Sequence, residues 1–178
     1  MESRITDNAG MFSSKTVEWE TPQDLFDQLD RDFRFTLDAA ATPENAKCER
    51  FYTKEDDALI QEWTGTVWCN PPYGRQIGAF VEKGYNAAAE GEADDVVMLL
   101  PARTDTRWWH EHVMHSHSIG FVRGRLKFGG GHNCAPFPSA IVHFSNERFE
   151  EDQIEGGYPY VYTLNALGQR KSPLKAPR

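Results

Sequence analysis

The segment Thr66-Val67-Trp68-Cys69 followed by Asn70-Pro71-Pro72-Tyr73-Gly74 limits the fold of this chain more than any other. The first four residues read as a short buried strand. The paired prolines must end it, because each lacks an N–H for the ladder and holds φ near −65°. Beyond the break, Ile77, Phe80, Val81, Tyr85 and Ala88 recur at helical spacing. Asp95 to Pro101 (DVVMLLP) then has the continuous apolar character of a central parallel strand. Strand, break, helix and strand together predict a βαβ unit and hence an α/β fold.

The flanking sequence is consistent with one such domain. Residues 1–16 are polar and aperiodic, so 1–18 reads as a flexible N-terminus, with order beginning near Trp19. Thr21-Pro22-Gln23-Asp24 predicts a helix start, with Thr21 as N-cap and Pro22 in the first helical position. Leu25, Phe26, Leu29 and Phe33 follow on one face. Phe35-Thr36-Leu37-Asp38 reads as a strand delivering Asp38 to a loop, and Thr42-Pro43-Glu44-Asn45 as a turn. A helix around 105–117, strands at Ile119–Val122 and Ala140–Phe144, and a Gly129-Gly130-Gly131 connection complete the pattern. The two late strands are expected to form an antiparallel hairpin at one end of the sheet. The folded domain is placed at 19–162, with 163–178 as a flexible basic tail.

Composition bears on partners and compartment. A chain of 178 residues suits one core, and a mean hydropathy of −0.62 without a long apolar run excludes a spanning helix. No charged-then-apolar start marks secretion, and Cys48, Cys69 and Cys134 lack CxxC spacing. Reduced thiols in a cytoplasm are the expectation. The formal net charge of −8 opposes a nucleic-acid partner until its distribution is read. Residues 1–95 carry 9 basic and 20 acidic side chains, 96–146 carry 5 and 2, 147–162 carry 1 and 5, and 163–178 carry 4 and none. Exposed charges are felt within about 8–10 Å, so the basic second half can still engage phosphates.

Ligands of α/β sheets sit beyond the carboxyl ends of strands, which is where Asn70-Pro71-Pro72-Tyr73 falls. The prolines stiffen the backbone, the Asn70 side-chain oxygen and Pro71 carbonyl accept hydrogen bonds, and Tyr73 offers a flat face. Such a group suits a planar ring bearing an amine. The lone pair of adenine's exocyclic amine is delocalised, so two acceptors on its hydrogens favour the pyramidal form that attacks. Where such an amine attacks a centre that already carries positive charge, alignment matters more than a strong base.

The chain resembles the phage-type DNA N6-adenine methyltransferase family. The resemblance rests on Trp19-Glu20-Thr21-Pro22 with Leu25-Phe26, FTLDAAATPENAKCERFYT (35–53), KEDDAL (54–59), Trp63-Thr64-Gly65, NPPYG, LLPARTDTRWWH (99–110), GRLKF (124–128) and APFPSAIVHF (135–144). It implies a Rossmann-like, S-adenosylmethionine-dependent methyltransferase fold, one three-layer domain with a mixed sheet. Asn70, Pro71, Pro72 and Tyr73 are implied to hold the target base. Thr21 and Pro22 are implied to lie against the methionine part of the cofactor, Asp38 beside the cofactor, and Asp57 on its adenine amine. One departure stands out: the usual glycine-rich loop after the first strand is replaced by Ala39-Ala40-Ala41-Thr42.

Charge and chemistry assign DNA contacts to Arg103 and Arg107 and to Arg123, Arg125 and Lys127, with Phe128 or Phe137 closing the second face of a flipped adenine. No metal is expected, since His110, His112, His115 and His117 lack metal-ligand spacing. Trp108-Trp109 reads as core ahead of a DNA wedge, and the glycine run as a connection ahead of a phosphate cradle. The expected activity is methyl transfer from S-adenosylmethionine to N6 of adenine in DNA. RNA amine or protein glutamine methylation on the same scaffold, or a catalytically inactive DNA-binding module, stand as alternatives.

Overall fold

The computed structural model describes residues 19–130, 134–146, 160–164 and 170–171. The expected N-terminal arm, Gly131 and most of the expected tail lie outside the described residues. The chain forms α1 (Gln23–Phe33), β1 (Leu37–Asp38), β2 (Gly65–Cys69), α2 (Ile77–Ala89), β3 (Ala93–Pro101), α3 (Arg107–Glu111), β4 (Ser118–Val122), β5 (Ser139–Ser145), β6 (Tyr160–Leu164) and β7 (Arg170–Lys171). A single 3-10 turn occupies Val113–His115, and Phe128–Gly130 turns through a left-handed Gly129.

These strands make one mixed sheet in the order β1-β2-β3-β5-β4-β6-β7. β1, β2 and β3 run parallel, and β2-α2-β3 is the expected βαβ unit. β5 lies antiparallel to both β3 and β4, so β4 points the same way as β3. The carboxyl ends of β1, β2, β3 and β4 therefore share one edge of the sheet, and the loops after them meet there.

Register gives the layers. Val96↔Phe144 and Met98↔Val142 lie on one face, Val97↔His143 and Leu99↔Ile141 on the other. On the first face α2 comes so close that a Cβ on Gly84 would lie 3.0 Å from Met98 Sδ and 3.2 Å from Val96 Cγ1. Tyr85 meets Phe144 there at 5.8 Å between ring centroids. On the second face Phe26 of α1 sits edge-on to Trp68 (5.7 Å) and Phe33 edge-on to His143 (4.9 Å). Helices thus cover both faces, as a parallel-strand core requires. Leu25, Phe26 and Leu29 of α1 are buried, each burial stabilising by roughly 1.5–3 kcal/mol. The helix stops at Arg34, whose φ of 57° is left-handed and whose N–H bonds the Asp30 carbonyl.

Four sequence expectations are revised. α1 begins at Gln23 with Pro22 in the cap position and no side-chain cap bond, so Thr21 is not its N-cap. The β4–β5 hairpin is internal to the sheet, because β6 adds parallel to β4 and β7 pairs beyond it. β6 crosses the expected boundary at 162, and β7 falls within the basic tail. The helix expected at 105–117 is only five residues, continued by a 3-10 turn. Both tryptophans there pack inward: Trp109 is buried against Phe121, and Trp108 lies against Gly78 of α2. Gly129, at φ 59°, gives its N–H to the Glu20 carbonyl at 3.0 Å, which makes the glycine run a connection tied to the start of the domain.

Candidate active site

β2 ends at Cys69 and delivers Asn70 to the carboxyl edge. Its Nδ2 donates to the Trp19 carbonyl and to Thr21 Oγ1, the latter at 3.0 Å. A carbonyl oxygen only accepts, so the amide nitrogen must face Trp19 and the amide orientation is fixed. That leaves Asn70 Oδ1, which is buried and has no hydrogen-bond partner. An unmade buried acceptor costs about 1–3 kcal/mol, a cost that a ligand donor would offset. Thr21 is thus displaced from its expected capping role to that of a clamp on Asn70.

Tyr73 lies on the same loop. Its hydroxyl donates to the Leu99 carbonyl at 3.0 Å, and burial holds the phenol well above its ordinary pKa. The ring is 6% exposed, with Phe137 and Phe128 edge-on at 5.4 and 6.3 Å. Trp19 completes this aromatic group, edge-on to Phe128 at 5.3 Å and Phe137 at 5.1 Å, and its Nε1 is buried without a partner. Its part in the site went unassigned in the sequence, where the only signal was its place one residue before Glu20-Thr21-Pro22. Phe128 and Phe137, which chemistry nominated for the second face of a base, are brought directly against Tyr73. These rings leave the face of Tyr73 covered.

The acids assigned to a cofactor differ from one another. Asp38 ends β1 as expected, but its carboxylate is buried and accepts the N–H groups of Ala40 (3.3 Å) and Lys47 (3.1 Å). Burial raises its pKa, while the Lys47 and Ala40 N–H groups and the Lys47 charge pull it back. Its immediate work is to fold the 39–47 turn against α1. Asp57 is exposed in a left-handed backbone conformation (φ 51°), uncommon for a residue other than glycine. Its Oδ1 accepts the Leu59 N–H at 3.3 Å, and the neighbouring Ala58 is buried with its carbonyl bonded to Trp63 Nε1 at 2.9 Å. This turn presents the Asp57 carboxylate outward on an anchored backbone. Cys48 nearby is pushed up to about 12 by burial and then by Asp38 and Asp30, and Cys69 is also raised by burial. Both thiols stay protonated at neutral pH and supply no nucleophile.

Arg103, Arg107, Arg123, Arg125 and Lys127 are all exposed. Arg103 lies just beyond β3 and Arg123 just beyond β4, so both basic sets rim the edge that carries Asn70. The second set is well presented, because Leu126 between Arg125 and Lys127 is buried and its carbonyl accepts the Ala135 N–H at 2.8 Å. Arg107 is engaged by Glu111 at 2.6 Å. Among the described residues no group of three or more His, Cys, Asp and Glu side chains is placed to hold a metal ion, and no helix is long and apolar enough to cross a membrane.

The family model for DNA N-6-adenine-methyltransferase (Dam) matches residues 11–151. A DNA N-6-adenine-methyltransferase of Escherichia phage T1 is 35% identical over 111 residues, covering 61% of this chain and 45% of that protein. One of Haemophilus phage HP1 is 31% identical over 114 residues, covering 62% of this chain and 65% of that protein. The chain therefore spans about half to two thirds of the length of these curated relatives. With the family match covering β1 to β5 and the whole of the Asn70–Tyr73 loop, the chain belongs to the DNA N-6-adenine-methyltransferase (Dam) family.

Proposed function

We propose that this protein methylates N6 of adenine in DNA, using S-adenosylmethionine as donor and taking the target base out of the duplex. The observation that carries the reading is the buried, unpartnered Asn70 Oδ1 at the carboxyl edge of the sheet. An acceptor in that position suits a ligand N–H, and adenine's exocyclic amine supplies one.

The residues present fit the cofactor by the chemistry of their donors and acceptors. Thr21 Oγ1 accepts from Asn70 and keeps its own hydrogen for a carboxylate, with Pro22 beside it. The outward Asp57 carboxylate suits an adenine amine, and Asp38 supports the loop between them. When bound, the cofactor supplies an electrophilic methyl group on a sulfonium. The protein's part is alignment: Asn70 Oδ1 and the Pro71 carbonyl accept hydrogen bonds from the two amine hydrogens, which favours the pyramidal nitrogen whose lone pair attacks. Pro72 stiffens the loop, its own carbonyl held by the Gly74 N–H at 2.8 Å. Tyr73, fixed through Leu99, and one of Phe128 and Phe137 close the two faces of the base. An amide cannot take a proton at neutral pH, so the proton leaves to water after transfer. Arg103, Arg107, Arg123, Arg125 and Lys127 grip the phosphates around the extruded nucleotide.

Incubation with methyl-labelled cofactor and DNA, RNA or protein tests the reading. Label is expected in DNA; label confined to RNA or protein would overturn it, and no transfer to any of them would favour an inactive binding module.

A further inference from the structure

We infer that the Trp19 indole N–H is a specificity-determining contact, donating to a ring nitrogen of the target adenine beside the amine held by Asn70. The inference deepens the proposed function and rests on it. Three observations put this donor beside the residues proposed to hold the base. Trp19 Nε1 and Asn70 Oδ1 are both buried and both without a partner. The two residues are bonded to each other, Asn70 Nδ2 to the Trp19 carbonyl. The Trp19 ring packs on Phe128 and Phe137, the same rings that cover Tyr73. A phenylalanine would fill that aromatic niche without burying an unpaired N–H, so packing alone does not account for an indole.

A donor and an acceptor left unpaired on two residues in contact match adenine's chemistry. Its N6 amine donates, and the ring nitrogens on either side of it, N1 and N7, accept. Guanine offers an oxygen where Asn70 Oδ1 needs a hydrogen, and thymine does the same. Cytosine's amine has a ring acceptor on one side only, N3, so cytosine is rejected when the indole addresses the N7 side of adenine. A buried site of this kind rejects a wrong base by leaving its own polar atoms unpaired.

The test measures kcat/KM on otherwise identical oligonucleotides bearing adenine, 7-deazaadenine or 1-deazaadenine at the target, for the wild-type protein and Trp19→Phe. The wild type is expected to lose roughly tenfold or more on one analogue. Trp19→Phe should treat that analogue and adenine alike, within about twofold, with the cofactor affinity of the wild type. Equal rates on all three substrates in the wild type, or an undiminished analogue penalty in Trp19→Phe, would overturn the inference. Should Trp19→Phe fail to fold, Trp19→Met keeps apolar bulk with no hydrogen-bond donor and is read the same way. A wild type that methylates no unmodified adenine would instead refute the proposed function, and the inference with it.

Discussion

The two ends of the central strands treat their polar groups in opposite ways. At the amino end, Glu92 accepts the Trp63 N–H and takes Lys83 at 3.0 and 3.2 Å, and Asp95 holds His143 Nε2 at 2.6 Å. Among the described residues, Asn70 Oδ1, Trp19 Nε1 and Ser139 Oγ at the carboxyl end are buried without partners, while His112 Nδ1, beside Tyr85 of α2, is a further such atom away from this edge. Buried polar groups are ordinarily satisfied, so a cluster of exceptions at one edge marks where the fold gives up stability. The paired end secures the sheet; the open end is the one proposed to take the ligand.

Breaking the open end should cost activity and little stability. Asn70→Ala is expected to lower methyl transfer roughly a hundredfold or more, with cofactor affinity by calorimetry and the melting temperature close to wild type. Full activity in that variant would remove the distinction between the two ends.

Replacing Arg123, Arg125 and Lys127 together by alanine sharpens the role of the rim. DNA affinity should fall roughly tenfold or more at low salt, and the slope of log affinity against log salt should shrink by about 2–3. A single mutant of Arg107, already paired with Glu111, should do less.

Thr21→Val asks whether Thr21 serves Asn70 or only the cofactor. Loss of the hydroxyl acceptor should lower kcat several-fold, more than it changes cofactor Kd, because the amide loses one of its two anchors. A change confined to cofactor Kd would return Thr21 to a pure cofactor contact.

Asp95→Asn probes the paired end and carries the smallest effect. The His143 hydrogen bond, against a burial penalty and with the His143 charge, holds the Asp95 carboxyl below its ordinary value of 3.8. A lowered acid contributes stability above its unfolded pKa and loses it as pH falls through the folded one. Denaturant titrations should therefore give a wild type that loses stability below about pH 4, and a variant less stable by about 1 kcal/mol at pH 7 with a flatter acid limb. Methylation by the variant at neutral pH should be near wild type.

Much of this contrast was legible in the sequence where local chemistry dictates structure. Paired prolines after Thr66–Cys69 fixed the strand end and so the place of Asn70, and the helical period of Ile77 to Ala88 fixed α2. What was not legible depends on neighbours distant along the chain. Asp38 was found as the end of a strand, but its inward direction follows from the N–H groups of Ala40 and Lys47. Thr21 looks like a cap because Thr-Pro commonly is one; a residue 49 positions away recruits its hydroxyl. β6 carries β-prone residues, yet its existence depends on pairing with β4, and strand propensity is decided by such context. Trp19 alone before a helix resembles ordinary packing until the orphaned Nε1 is seen.

Nucleoside analysis of unmethylated DNA after incubation with the protein and S-adenosylmethionine tests the central claim, that the open edge methylates an adenine amine. The account predicts N6-methyldeoxyadenosine as the modified nucleoside formed. Modified cytosine in its place, or DNA left without a modified base while the protein binds both cofactor and DNA, would contradict it.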